Sequence, residues 1–176
     1  MYLAYVMTKD RGATDRLLSE LADRLQAQGT ALAGIVQTNT ECHDDALCDM
    51  DVRVLPKGET IRISQSLGAG SRGCRLDPSA LEQAVAQVTS SLQGEAVPEV
   101  LIVNKFGKHE ADGRGMRPVI GEALELGVPV ISGVNSLNVE AFQTFADGLA
   151  VAVEPNVEAL IDWLAQAQKQ MQSETA

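Results

Sequence analysis

The alternation of apolar runs with amphipathic stretches predicts an α/β fold, a mainly parallel sheet with helices on both faces and an inserted β-hairpin. Three observations carry that expectation. Runs such as YLAYVM, EVLIVN and PVISGV are apolar throughout rather than at every second position, the pattern of strands buried on both faces. The stretches between them place apolar residues at helical spacing. The two kinds alternate along most of the chain, as right-handed crossovers between parallel strands require. At 176 residues, with 45% hydrophobic and 22% charged content, the chain suits one domain with a real core. We expect that domain over 1–170, with 171–176 as a disordered tail.

The elements follow in order. Residues 2–7 read as a buried strand, and the next stretch puts Leu17, Leu18, Leu21, Ala22 and Leu25 on one helical face before Gly29 ends it. ALAGIVQ is a second strand. Residues 38–76 read as an insertion: a polar stretch, then VRVL and IRIS around Pro56-Lys57-Gly58, a β-hairpin with its turn at the tip. Asp77-Pro78 is a helix entry, an N-cap followed by proline at the first helical position, and the helix runs through LEQAVAQVTSSL. EVLIVN is a strand that leads into a loop, KFGKHEADGRG. A helix at VIGEALEL, a strand at PVISGV, a helix at NVEAFQTF, a strand at LAVAV and a helix at VEALIDWLAQAQKQM complete the chain. An apolar patch around Trp163 on that last helix would suit a homodimer.

Charge sets the class of partner. A net charge of −10 and a sequence pI near 4.6 repel polyanions at long range, which argues against DNA, RNA or anionic lipid as the ligand. No apolar run approaches the roughly 20 residues that span a bilayer, and the apolar part of the N-terminus is short for a signal peptide. A cytoplasmic location is expected. Cys42, Cys48 and Cys74 are odd in number and unevenly spaced, so free thiols are expected rather than a disulfide framework. Cys42-His43-Asp44-Asp45 with Cys48 lacks the paired spacing of a zinc site, and no metal site is expected.

Against this acidic background the cations are concentrated. Nine of the fourteen Lys and Arg residues lie between Arg53 and Arg117. Ser66-Leu67-Gly68-Ala69-Gly70-Ser71-Arg72-Gly73-Cys74-Arg75 holds three glycines, two serines, two arginines and no acid. Glycines let several backbone N–H groups converge on one anion, hydroxyls add donors, and arginine offers a forked donor to a tetrahedral oxyanion. The helix entered at Asp77 would turn its positive end toward that loop. The other reading of these residues is a surface loop with solvated arginines. Cys74, beside Arg75, is either a packed thiol or, if exposed to those cations, a reactive one.

A second candidate follows EVLIVN, because open parallel sheets place ligands at the carboxyl ends of their strands. Asn104, Lys105, Lys108, His109, Glu110, Arg114 and Arg117 lie there; they form either a site, with Glu110 positioning a water or acting with His109 as acid and base, or a solvated charged loop. The first loop invites comparison with the phosphate-binding motif G-x-x-x-x-G-K-[ST]. Laid on residues 8–15, the motif finds Thr8 and Ala13 in place of its glycines, Thr14 in place of lysine and Asp15 in place of the hydroxyl residue.

Taken together, GIVQTNT, CDMDVRVLP, ISQSLGAGSRGCRLDPSALE, LIVNKFGKHEADGRG and GVPVISGV resemble, over nearly the whole chain, a bacterial family of unknown function. Its members are often encoded near molybdate transport or molybdenum-enzyme genes. That family is distantly similar to small P-loop nucleoside triphosphatases, in which a late strand ends in an acidic magnesium-site motif followed by Gly-Lys-Met-Glu. Gly107, Lys108 and Glu110 match that pattern, whereas Asn104 and Lys105 stand where acids would help to hold magnesium. The resemblance implies a P-loop-like three-layer sandwich and a molybdenum link.

The leading expectation is a cytoplasmic oxyanion-binding protein for molybdate or tungstate. Its donors would be Ser71, Arg72, Arg75, the Gly70 and Gly73 amides and the neighbouring Cys74, with Thr8, Lys9, Arg11, Gly12, Asn104, Lys105 and Lys108 closing the site. One alternative is a divergent nucleoside triphosphatase that binds nucleotide with magnesium and uses Glu110 to orient water. Another is a regulatory module that docks a protein through residues 38–76.

Overall fold

A computed structural model describes residues 1–39, 49–65, 76–94 and 96–174. The elements are β1 (Leu3–Val6), α1 (Ala13–Ala27), β2 (Leu32–Asn39), β3 (Met50–Val54), β4 (Thr60–Arg62), α2 (Pro78–Leu92), β5 (Val100–Phe106), α3 (Lys108–Ala111), α4 (Met116–Glu125), β6 (Val130–Val134), α5 (Val139–Phe145), β7 (Val151–Ala152) and α6 (Val157–Glu174). They form one sheet in the order β4-β3-β2-β5-β6-β1-β7. The pairings among β1, β2, β5, β6 and β7 are parallel, and β2–β3 and β3–β4 are antiparallel.

Two cores lie on opposite faces, giving three layers. On one face Leu18, Leu21, Ala22 and Leu25 of α1 and Leu160 and Leu164 of α6 pack on Ala4, Val6, Val36, Ile102 and Ile131. On the other, α2, α4 and α5 cover Leu3, Ile35, Leu101, Val103 and Val130. Strands β5 and β6 are buried almost end to end, because parallel strands between helix layers have no solvent face. The cap expected at the start of α2 is present: the Asp77 carboxylate accepts the Ser79 and Ala80 amides at 2.9 and 3.2 Å.

The inserted hairpin of residues 50–62 joins the sheet, since β3 pairs with β2 from Ile35 to Asn39 and extends it. Two expectations change. The segment taken as a loop after EVLIVN begins as strand, with Lys105 and Phe106 in β5, and continues as the short helix α3. Helix α6 runs to Glu174, so residues 171–174 of the expected tail are helical. Trp163 is half-buried and packs on the α1–α6 core. Amphipathic spacing locates a stripe; only the neighbouring helix decides how much of it is covered.

Candidate functional site

A polar cavity of about 280 Å³ opens at the carboxyl ends of β5, β6 and β1, three strands adjacent in the sheet. Thr8, Lys9, Asp10, Arg11, Gly12, Thr14 and Asp15 line it from the β1–α1 connection, Lys105 from β5, and Val134, Asn135 and Ser136 from the end of β6. Open parallel sheets bind ligands at this edge because crossover loops and helix N-termini converge there. Helix α1 starts directly after Gly12, whose φ of 73° is the left-handed conformation glycine adopts without a Cβ clash. Gly12 offers no side-chain cap. The Ala13 amide donates to the Asp10 carbonyl at 3.2 Å, and the next first-turn amides have no partner within the helix. Gly133 of β6 lets this turn sit low on the sheet, since a Cβ there would stand 2.8 Å from Thr14 Cγ2.

A larger cavity of about 380 Å³ lies at the opposite end, where β5 and β6 begin. Its lining is mostly apolar, and its one ionisable residue, Glu99, accepts the Ala31 amide at 2.7 Å. Convergent polar chemistry favours the smaller cavity.

The polar groups of the smaller cavity form a connected set. The Thr8 and Thr14 hydroxyls are 2.8 Å apart. Asp15, 4% exposed, accepts Asn39 Nδ2 on Oδ2 at 2.7 Å, and Asn39 Oδ1 in turn accepts Gln37 Nε2 at 2.7 Å. Asp15 Oδ1 has no hydrogen bond and faces the Lys105 ammonium at 3.6 Å. Lys105 reaches this place through an irregularity in β5, where pairing with β6 shifts register between Val103 and Phe106; bulges re-aim side chains in this way. Asn104, 2% exposed, sits at the same irregularity with neither amide atom hydrogen-bonded.

The start of α1 also changes how the phosphate-loop motif lies on the sequence. In a strand–motif–helix unit the second glycine stands where loop becomes helix, which here is Gly12 rather than Ala13. Moved by one residue, the motif retains that glycine in Gly12 and the hydroxyl in Thr14, and Ala13 replaces the lysine.

Thr8, Lys9, Arg11, Gly12 and Lys105 thus line one cavity. Asn104 is buried and not on the cavity lining. Lys108, the first residue of α3, is exposed and away from the cavity lining. Glu110 is 4% exposed, and both oxygens accept amides: Oε2 from Gly107 at 2.9 Å and Oε1 from Met116 at 3.2 Å. It caps α3 and ties it to the first turn of α4. His109 Nε2 lies 3.0 Å from Glu82 Oε1, which also accepts the Gly115 amide, so His109 belongs to the α2–α4 contact rather than to a pair with Glu110. Gly70, Ser71, Arg72, Gly73, Cys74 and Arg75 lie outside the described residues, as do Cys42, His43, Asp44, Asp45 and Cys48.

Of the described cations between Arg53 and Arg117, three are engaged elsewhere than at the cavity. Arg53 pairs with Asp23 at 2.6 Å, Arg62 with Asp49 and Asp51, and Arg117 stacks 4.9 Å from the Phe145 ring centroid. Thr14, Asp15, Asn135 and Ser136 were missed. Asn135 and Ser136 had a usable signal, polar residues immediately after an all-apolar strand. Asp15 had none, being one acid among several near a helix start.

A sheet ordered in this way, with helices on both faces and a strand–loop–helix at its ligand edge, is a P-loop nucleoside-triphosphatase-like fold. The chain superposes over 98% of its length on a human cancer-related nucleoside triphosphatase, 98% of which is covered, at a TM-score of 0.63 and 17% identity. On THEP1 from Aquifex aeolicus it does so over 94% of this chain and 96% of that one, at 0.53 and 15% identity. The chain itself belongs to the family described as "Protein of unknown function (DUF2478)", matched over residues 3–163. It is 31% identical over 151 residues, 86% of its length, to the molybdenum import ATP-binding protein ModC 2 of Bradyrhizobium diazoefficiens, and spans 17% of that protein. Among the described residues no helix is long and apolar enough to cross a membrane.

Proposed function

We propose that this protein binds a small tetrahedral oxyanion in the β1–α1 cavity, with molybdate and tungstate as the leading candidates. The observation that carries the reading is the uncapped start of α1 opening on a cavity lined by Lys9, Arg11, Lys105 and two threonine hydroxyls. Free first-turn amides, a positive helix end and nearby cations are the donors an oxyanion requires. The molybdenum preference rests on the similarity to the import protein of that name.

Thermal unfolding in graded molybdate, tungstate, sulfate and phosphate tests the reading. A ligand that binds only the folded chain stabilises it by roughly 2.7 kcal/mol at a hundredfold excess over Kd. A rise with molybdate or tungstate that Lys9→Ala with Arg11→Ala abolishes is the expected result; no rise with any of the four rejects the site. Arg72→Ala with Arg75→Ala reports whether the donors anticipated in that segment take part.

One observation favours a second reading, the phosphate of a nucleotide: Gly12 and Thr14 occupy the glycine and hydroxyl positions of the re-registered loop motif. Hydrolysis is not part of that reading. Ala13 stands where lysine meets the phosphates, and the Glu110 carboxylate is bound to two amides. ADP in the same titration separates the two readings.

A further inference from the structure

Phosphate sites of this fold are served by magnesium, held by a loop hydroxyl and by an acid at the end of a neighbouring strand. The residues present do not fit that ion. The strand-end position that should be acidic is Asn104, a buried, uncharged amide absent from the cavity lining. The next residue, Lys105, brings an ammonium into the cavity itself. The buried carboxylate there, Asp15, faces that ammonium at 3.6 Å with one oxygen and holds Asn39 with the other. The Thr14 hydroxyl is 2.8 Å from that of Thr8. Asp10 is the second acid on the lining, so three cations (Lys9, Arg11 and Lys105) stand against two acids. A divalent ion would enter a site already positive, beside an ammonium that claims its best oxygen.

We infer that Lys105 replaces the metal: its ammonium is the resident counter-cation of the cavity, and anion binding there is independent of divalent ions. The inference rests on the anion-binding reading above. Several features place the charge. Lys105 enters from the β5 irregularity, its Cβ lies 3.6 Å from the Cβ that a side chain at Gly133 would have, and Asp15 holds its head group at the cavity wall. Asp15 is itself aligned by the Asn39–Gln37 chain, which fixes the ammonium without making it the partner of a fully hydrogen-bonded carboxylate. An incoming oxyanion therefore meets a cation that is positioned yet not saturated.

Calorimetric titration of the full chain with sodium molybdate and with inorganic phosphate, each in excess EDTA and again in millimolar magnesium, decides the matter. The expected result for the anion that binds is a Kd equal within about twofold in the two buffers, weakened about tenfold or more by Lys105→Met, a loss of roughly 1.4 kcal/mol or more. Methionine keeps the apolar stem, and the wild-type comparison stands even if that variant folds poorly. Binding that needs magnesium in the wild type overturns this inference and leaves the anion site standing. Equal binding in both buffers that Lys105→Met does not weaken removes Lys105 from the role. Absence of binding in either buffer ends both the inference and the anion reading.

Discussion

Asp15 and Glu110 are each 4% exposed, and each sits near the carboxyl ends of the parallel strands, yet they are used in opposite ways. Both oxygens of Glu110 are satisfied by backbone amides, one at the start of α3 and one at the start of α4. Asp15 has one oxygen hydrogen-bonded by Asn39 and one that meets only a lysine ammonium across 3.6 Å at a cavity wall. Burial of an acid therefore does not by itself mark function. A carboxylate whose acceptor capacity is filled by main chain is a joint in the fold. One left partly unfilled beside a cavity and a cation is available to respond to a ligand.

The largest effect is expected at Glu110. Glu110→Ala leaves two helix-start amides without their acceptor and should lower unfolding stability by about 2–4 kcal/mol, measured by urea denaturation. A change below about 0.5 kcal/mol would deny Glu110 its structural role. Asp15→Asn should do the reverse, altering stability by about 1 kcal/mol or less because the Asn39 bond can persist, while weakening oxyanion binding about threefold or more through loss of the contact that positions Lys105. Tighter binding in that variant would mean that Asp15 restrains Lys105 more than it orients it. The smallest effect is expected at the surface, where Arg24 joins α1 to Glu158 of α6 at 2.6 Å. The hydrogen bond from Arg24, then the bond at Glu158's own backbone and the Arg24 charge, hold the Glu158 carboxyl below its ordinary range. This pair favours the folded chain above the usual carboxylate range, and the contribution disappears as pH falls through the lowered pKa. Arg24→Ala should raise the Glu158 pKa toward the ordinary value, followed by NMR titration, and leave the acid limb of stability nearly unchanged because both groups are exposed.

How much of this was legible from residues alone follows from the range of each interaction. All-apolar runs and helical spacing disclosed the parallel strands, the helix layers and the Asp77 cap, because those depend on neighbours within a few positions. Lys9, Arg11, Gly12 and Lys105 were nameable because cations and glycine after a strand are a local signature. Glu110 looked catalytic for the same reason, and its saturation by Gly107 and Met116 was hidden because the second of these acceptor bonds is made to another helix.

The sequence by itself determined the class of fold, the placement of most elements and the loop that opens on the ligand edge, since hydrophobic period and turn chemistry are written along the chain. Folding in three dimensions was needed to show that Arg53 is bound to Asp23 and that Lys105 meets Asp15. Those outcomes depend on Coulomb and hydrogen-bond contacts between residues up to ninety positions apart, which no local pattern encodes.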